Sequence, residues 1–278
     1  MKLFRHGAAG AERAGAIDTR GVRRDLSLLV PDLAPEWLAP DKLRAIAAID
    51  FEQMPAVPEG TRIGAPISGA RQFIAIGLNY RKHAAEAGMP IPKDPLVFNK
   101  AITSIQGPND DIVYPEGCEM LDWEVELAFV VGIKAQRVSP ESALSHIAGY
   151  CLTNDLSERN WQVNRSGQWV KGKSFDTFGP LGPWFVTADE VPDPQEIPLK
   201  LSVNGAVRQD SNTSDMIFTV AEILSHLSQF MTLLPGDIVI TGTPEGIGAG
   251  MKPPLFLKRG DVVELDGGVL GSQRQRVI

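Results

Sequence analysis

The sequence predicts a β-rich α+β fold, and three observations support this prediction. The apolar segments are mostly short, such as residues 73–77, 125–131 and 238–241, and turn residues bound them, which is typical of strands. Only a few segments show the spacing of an amphipathic helix. Strands and helices do not alternate in the regular order that builds a parallel sheet from βαβ units. The 278 residues are enough for one large domain, or for a small domain joined to a larger one.

Residues 1–68 are predicted to form a small N-terminal domain, followed by a larger domain over residues 69–278. A short hairpin is expected over residues 14–23, and a short helix near Asp41 to Ile49. Prolines and glycines up to residue 66 give the junction the composition of a linker. No catalytic cluster is evident in this part of the chain, and His6 is interpreted as an ordinary surface or half-buried residue.

The buried strand expected at residues 73–77 leads into a segment that could carry a general base. If Asn79 caps a short helix, His83 and Glu86 lie three residues apart on one face and can touch. A carboxylate that orients a histidine and raises its basicity enables the imidazole to activate water. The alternative is a weak ion pair on a surface helix.

The strand at residues 122–131 carries two glutamates among apolar residues. Because side chains alternate across a strand, Glu124 and Glu126 share one face. The opposite face is a core face formed by Val125, Leu127, Phe129 and Val131. Two carboxylates that lose hydration and repel each other are costly unless a positive charge lies between them. Oxygen ligands favour Mg²⁺, Mn²⁺ or Ca²⁺ over zinc. The alternative is an edge strand whose glutamates face water.

A third carboxylate follows a predicted helix and strand. A helix is expected from Ser139 to Gly149, with proline in its first turn and glycine at its end. The next strand ends at Asn154, so Asp155 lies where mixed sheets usually hold ligands. Asp155 is therefore the expected third ligand of the cation, although it could instead cap a helix. Lys173 is expected on a loop rich in glycine and proline, either solvated or able to bind an anion or move a proton.

The last third of the chain contains a hairpin, one clear helix and a glycine-rich loop. Asn204 and Gly205 form the turn of the hairpin, and Thr219 with Glu222 fits a capping box for a helix over residues 219–234. The glycine-rich loop follows the strand at 238–241. It is not interpreted as a nucleotide loop, since prolines replace the helix that should follow. Its glycines would allow close approach to a small ligand, and the Thr243 hydroxyl could bind a carboxylate.

Composition excludes several classes of function. The net charge of −7, with no block of Lys or Arg, argues against a nucleic-acid partner. No window approaches the roughly 20 apolar residues of a membrane span, and the first residues lack the apolar run of a signal peptide. Cys118 and Cys151 form no metal-binding or redox spacing, which suggests a reducing compartment. We therefore expect a cytoplasmic protein that binds neither membranes nor nucleic acid.

Five segments, taken in order, closely resemble the fumarylacetoacetate hydrolase family over about residues 70–278. They are GLNYRKHAAEAG, DWEVELAFVVG, TNDLSERNWQ, KGKSFDTFGPLGP and PGDIVITGTPEGIG. The resemblance implies a mixed β-sandwich roll, usually a homodimer, with an Mg²⁺ or Mn²⁺ site. By resemblance, the metal ligands are Glu124, Glu126 and Asp155, the water-activating dyad is His83 and Glu86, the active-site lysine is Lys173, and the substrate-binding positions are Gln162, Thr243 and, more loosely, Arg159.

The N-terminal segment, which opens with MKLFRHG and contains IDTRGVRRDLS, is similar to a prokaryotic branch of that family often labelled ureidoglycolate lyase. That branch also includes hydrolases of 2,4-diketo-3-deoxy sugar acids such as the L-rhamnonate and L-fuconate derivatives. The expected function is metal-dependent cleavage of a carbon–carbon bond in an acylpyruvate, a 2-oxo acid, with a diketo sugar acid as the favoured substrate. The alternatives are cleavage of ureidoglycolate or decarboxylation of oxaloacetate at the same site, or a metal-binding protein without catalytic activity.

Overall fold

The protein, represented here by a computed structural model that describes residues 1–278, has the predicted β-rich α+β fold. Its strands are β1 (Lys2–His6), β2 (Arg13–Ile17), β3 (Arg23–Asp25), β4 (Ile63–Gly64), β5 (Phe73–Gly77), β6 (Leu96–Lys100), β7 (Ile105–Gln106), β8 (Leu121–Asp122), β9 (Val125–Val131), β10 (Ile147–Asn154), β11 (Ser157–Glu158), β12 (Gly179–Pro180), β13 (Phe185–Thr187), β14 (Pro198–Val203), β15 (Ala206–Asn212), β16 (Ile238–Ile240), β17 (Val262–Asp266) and β18 (Ser272–Arg276). Its α-helices are α1 (Pro40–Ala47), α2 (Arg81–Glu86), α3 (Pro140–Ala143), α4 (Val170–Lys173) and α5 (Val220–Phe230).

A ten-stranded sheet forms the centre of the molecule. Its order is β3-β2-β1-β13-β10-β9-β16-β5-β6, with β4 paired to β1. Strand β9 lies in its interior, antiparallel to both β10 and β16, and every one of its residues is buried. The alternative of an edge strand with glutamates in water is therefore wrong.

The two faces of β9 pack against different layers. Val125, Leu127 and Phe129 lie in a core shared with α5 and with a four-stranded sheet of order β15-β14-β17-β18. Ala128 and Val130 face the other way, into a core shared with the N-terminal residues. The predicted alternation is confirmed, and both faces are sealed from water because a layer covers each of them.

The N-terminal residues extend the central sheet instead of folding apart from it. Strand β1 pairs with β13, with Lys2 opposite Val186, and carries β2 and β3 outward as the predicted hairpin. Helix α1 and the loops around it contribute buried residues such as Leu38 to the core on that side. The division of the chain at residue 68 stays a prediction, since the two parts share one sheet.

Three local expectations differ from the structure. Helix α3 ends at Ala143, and Gly149 lies inside β10, where an added Cβ would meet the Val186 carbonyl oxygen at 2.3 Å. Tight packing between strands, and not a helix end, therefore requires this glycine. Lys173 ends the short helix α4 instead of lying on a loop. His6 is buried, 1% exposed, with Nε2 at 3.6 Å from Asp25.

Helix α5, which runs for eleven residues, is the longest in the chain. No helix combines the length and the apolar character needed to span a membrane.

The capping box predicted for α5 is present and should contribute measurably to stability. The Thr219 side chain accepts a hydrogen bond from the Glu222 amide, and Glu222 Oε2 accepts one from the Thr219 amide at 2.8 Å. Thr219→Ala should lower the free energy of unfolding by about 1 kcal/mol, because the Glu222 amide loses the hydroxyl that accepts its hydrogen bond. Urea denaturation measures this, and Thr219→Ser, which keeps the hydroxyl, should remain close to wild type. Equal loss in both variants would contradict a role for the cap.

Candidate active site

The three carboxylates predicted to hold a cation lie together. Glu124 and Glu126 are at the start of β9, and Asp155 directly follows the neighbouring strand β10, with its amide donating to the Glu124 carbonyl at 2.8 Å. One oxygen atom of each carboxylate lies within 4.8 Å of the others, and all three residues are buried. Asp155 does not cap a helix, since β11 follows it. The pairing of β9 with β10 therefore brings all three acidic groups to one end of the sheet.

Three cationic side chains surround two of these carboxylates. Lys173 Nζ bridges Glu124 Oε2 at 2.8 Å and Asp155 Oδ2 at 2.5 Å. Arg159 contacts Glu124 Oε1 at 2.6 Å, and Lys100 contacts Asp155 Oδ1 at 2.5 Å. Burial alone would raise the pKa of Glu124, but the charges of Lys173 and Arg159 lower that pKa to about 2. Glu124 is therefore held as an anion.

Glu126 has no such cation. Its Oε2 accepts the Gly242 amide at 2.7 Å, and burial together with the charges of Asp155 and Glu124 raises its pKa well above the ordinary value. Asp122 adds a fourth buried carboxylate, which Arg159 contacts at 2.8 Å. Four buried carboxyl groups thus share three cations, and Glu126 is the one that no cation contacts.

The cluster fits a divalent cation. Its ligand atoms are carboxylate oxygens, which hard cations such as Mg²⁺ and Mn²⁺ prefer. A charge of +2 would offset the repulsion from Asp155 and Glu124 and would favour the ionised form of Glu126. Glu124, Glu126 and Asp155 are the residues that could hold such an ion.

The predicted dyad is present on α2. His83 Nδ1 lies 3.2 Å from Glu86 Oε2, and because a carboxylate only accepts hydrogen bonds, Nδ1 must be the donor. The other ring nitrogen, Nε2, is then free to accept a proton. Helix α2 begins at Arg81 with Tyr80 as its N-cap, so the expectation that Asn79 caps it is wrong. Asn79 is buried instead and bonds the carbonyls of Phe218 and Thr241.

The glycine-rich loop after β16 holds two of these acids through backbone amides. The Gly242 amide donates to Glu126, and the Gly246 amide donates to both oxygens of Glu86, at 3.1 and 3.2 Å. Both glycines have φ near +95°, where other residues are strained, and a Cβ on Gly246 would lie 2.0 Å from the Arg208 carbonyl oxygen. The glycines are therefore needed for the loop to reach Glu86 and Glu126.

The predicted substrate-binding residues differ in what they can offer. Gln162 Oε1 accepts from Arg159 Nη1 at 3.0 Å, which leaves the amide nitrogen of Gln162 as a donor. Thr243 donates its hydroxyl proton to the Val125 carbonyl at 3.0 Å and accepts from Gln209 at 2.8 Å. In this arrangement Thr243 has no proton to give to a substrate carboxylate.

Eight of the nine predicted residues line one cavity of about 220 Å³; they are His83, Glu124, Glu126, Asp155, Arg159, Gln162, Lys173 and Thr243. The ninth, Glu86, lies behind His83. A larger cleft of about 630 Å³, between the N-terminal residues and the four-stranded sheet, contains none of them. Size alone would point to that cleft, whereas the concentration of buried ionisable groups identifies the smaller cavity as the candidate site.

Sequence reasoning missed two charged residues that hold this cluster. Lys100 ends the apolar strand β6 and is 3% exposed, so its charge is balanced by Asp155 alone. Asp122 accepts the amides of Gly248 and Ala249, at 2.7 and 3.0 Å, and also pairs with Arg159. It thus ties the arginine to the glycine-rich loop. The alternation of strand residues could have flagged Asp122, since it shares the face of Glu124 and Glu126.

Lys100 should be essential for stability. Lys100→Met leaves Asp155 Oδ1 buried without its cation, and breaking a buried pair in this way costs about 3–5 kcal/mol. Urea unfolding in the presence of a chelator measures the loss. Lys93→Met removes an exposed lysine charge and serves as the matched control, with stability close to wild type. A change of under about 1 kcal/mol in Lys100→Met would show that Asp155 does not need this partner.

Comparisons with known proteins identify the family of the chain. A protein of Burkholderia orbicola, provisionally named a hydrolase, is 53% identical over 99% of this chain and 98% of its own length. The structure of fumarylacetoacetate hydrolase from Exiguobacterium antarcticum superposes with a TM-score of 0.88 at 35% identity, covering 100% of this chain and 99% of that one.

A structure from Mycobacterium abscessus, named as a 2-hydroxyhepta-2,4-diene-1,7-dioate isomerase, superposes with a TM-score of 0.85 at 33% identity and covers 100% and 98% of the two chains. The fold therefore carries both hydrolases and isomerases. The family model described as the C-terminal domain of fumarylacetoacetate (FAA) hydrolase matches residues 72–278. The chain belongs to the fumarylacetoacetate hydrolase family.

Proposed function

We propose that the protein is a divalent-cation-dependent hydrolase that cleaves the C3–C4 bond of an acylpyruvate to give pyruvate and a carboxylic acid. One observation carries the proposal: a carboxylate triad, a His–Glu dyad and a buried lysine meet at a single cavity. Binding a metal would need only the triad, so the dyad and the lysine favour catalysis.

The chemistry of the proposed reaction follows from the positions of these groups. When bound, a divalent cation supplies positive charge that stabilises an enolate as the carbon–carbon bond breaks. His83 Nε2 takes a proton from water, because Glu86 fixes Nδ1 as a donor. The water oxygen bonds to C4, the C3–C4 bond breaks, and its electron pair forms pyruvate enolate. The proton held by His83 then returns to C3.

Lys173 and Gln162 would orient the substrate. The Lys173 ammonium group is buried, and although burial lowers its pKa, the charges of Asp155 and Glu124 raise it above the ordinary value. Lys173 therefore acts as a fixed positive charge beside the reacting carbonyls, and the Gln162 amide can donate to an oxygen of the acid. The diketo sugar acid, the homodimer and the cytoplasmic location suggested by the sequence stay predictions.

Removal of one ligand should abolish metal binding without unfolding the protein. Replacing a residue that only hydrogen-bonds to a metal ligand lowers metal affinity by about 10–100-fold. Glu126→Gln replaces a ligand itself, so it should weaken Mn²⁺ binding by more than about 100-fold. Calorimetric titration with Mn²⁺ measures this. Mg²⁺ should raise the melting temperature of the wild type and not that of the variant.

The matched control is Glu116→Gln, which removes an exposed carboxylate and should bind Mn²⁺ as the wild type does. The variant at position 126 should stay folded in chelator, because it relieves repulsion between buried carboxylates. Unchanged Mn²⁺ affinity in Glu126→Gln would refute the proposed metal site.

Replacement of His83 should distinguish hydrolysis from decarboxylation. Hydrolysis of acetylpyruvate needs an activated water, so His83→Ala should lower kcat by about 10²–10⁴-fold. Decarboxylation of oxaloacetate needs no attacking water. The decarboxylase activity of His83→Ala should therefore stay within a few-fold of that of the wild type. The rate of pyruvate release measures both reactions, and His146→Ala is the control variant. If His83→Ala loses both activities to the same extent, or loses neither, the role given to His83 is contradicted.

A further inference from the structure

The residues that line the cavity fall into two chemical groups, a polar half and an apolar half. Its polar lining residues are the eight that the proposed reaction already uses, and they surround the carboxylate triad. Every other lining residue is apolar or glycine; the large ones are Ile76, Leu78, Met89, Phe98, Trp169 and Ile247. The 2-oxo acid end of a substrate would occupy the polar half, so its acyl group must lie against the apolar half. This inference rests on the proposed function.

The apolar half is built from tightly packed aromatic residues. The Trp169 ring lies against Gly77, where an added Cβ would meet the ring at 2.5 Å. Phe98 contacts the edge of Trp169 with ring centroids 5.2 Å apart, and Lys173 Nζ lies 5.4 Å from the centre of the Phe98 ring. Phe98 therefore lies beside both a charged and an apolar residue of the lining. A preformed apolar wall of this kind favours an apolar group over a hydrated one.

No cation in the cavity is free to bind a second carboxylate. Arg159 is shared between Asp122 and Glu124 and also donates to Gln162 Oε1. Lys173 lies between Glu124 and Asp155. A carboxylate at the far end of a substrate would therefore lose its hydration without gaining a partner. A dioate, the kind of substrate named for the Mycobacterium abscessus relative, lacks a counter-charge in this cavity.

Hydroxyl groups on the acyl chain would find no side-chain oxygen or nitrogen acceptor among the apolar residues. The one polar side-chain group there is the indole N–H of Trp169, which can donate a hydrogen bond but cannot accept one from a hydroxyl proton. An apolar pocket discriminates against a substrate that carries an extra hydroxyl by up to about 100-fold. The cavity volume of about 220 Å³ lies below the ~300–1,000 Å³ of sites for drug-sized ligands, which favours a short acyl chain.

We propose that the acyl group of the substrate is short, uncharged and free of hydroxyls. The preferred substrate is then a simple alkyl diketo acid, and not a diketo sugar acid or a dicarboxylic acid. The polar half recognises the features that all acylpyruvates share, and the half formed by Phe98, Trp169 and Ile247 selects among them.

Three acids that differ at one point test this proposal. The reference is 2,4-dioxohexanoate; the second is 5-hydroxy-2,4-dioxohexanoate, which adds one hydroxyl and is the L-rhamnonate-type diketo acid; the third is 2,4-dioxoheptanedioate, which adds a terminal carboxylate. With Mg²⁺, kcat/KM for the reference should exceed that for the second by about 10–100-fold and that for the third by at least as much.

Binding to the Mg²⁺-loaded His83→Ala variant, measured by calorimetry, separates the proposed specificity from the proposed reaction. If the wild type cleaves none of the acids but the variant binds the reference most tightly, the reaction is wrong and the specificity stands. If the hydroxylated acid or the dicarboxylic acid binds or reacts as well as the reference, the specificity is overturned. If none of the three binds, both proposals fail.

A substitution in the apolar wall provides a second test. Val163 lines the cavity and its side chain is 58% exposed, so Val163→Thr adds a hydroxyl without disturbing the core. The preference for 2,4-dioxohexanoate over its hydroxylated analogue should narrow several-fold. Val207→Thr is the matched control, since Val207 is 51% exposed and lines the cleft beside the four-stranded sheet. A change of preference in the control, or none in Val163→Thr, would contradict the assignment of this wall.

Discussion

Two adjacent strands hold three buried carboxylates close together, and the rest of the structure has to compensate their mutual repulsion. Glu124 and Glu126 on β9 and Asp155 after β10 cannot move apart, because the strand pairing and the packing on both faces of β9 fix their backbones. Repulsion between buried like charges is costly, so neighbouring elements bring compensating groups. Lys100, Lys173 and Arg159 supply charge, and the Gly242 amide supplies a dipole.

No cationic side chain contacts Glu126, so the compensation is incomplete there. A site that binds a metal ion needs a carboxylate of this kind, because a cluster fully neutralised by lysine and arginine would not attract another cation. Here Glu126 is left with a single amide as its partner, and it lines the cavity. The same lysine that limits repulsion between Glu124 and Asp155 also lies where a substrate anion would approach. Stability and chemistry are therefore properties of one charge arrangement.

Local patterns in the sequence predicted much of this arrangement. Alternation along residues 122–131 placed both glutamates on one face, the spacing of three residues joined His83 to Glu86, and the capping box located α5. Partners contributed by distant strands were not predictable. Lys100 looks like a residue at the end of an exposed strand, and only the pairing of β6 with β5 buries it beside Asp155. Gly149 looked like a helix end because its contact with β13 is equally non-local.

The parallel pairing of β5 with β16 has a consequence for synthesis of the chain. Phe73 lies opposite Ile238, so the 165 residues from Phe73 to Ile238 (238 − 73 = 165) must be added to the chain before the two strands can meet. β16 also covers one edge of β9, and its loop holds Glu86 and Glu126. A nascent chain therefore lacks a finished acidic pocket until translation is almost complete. Closing so long a loop is slow, so the proposed binding of a cation would belong to the last stage of folding.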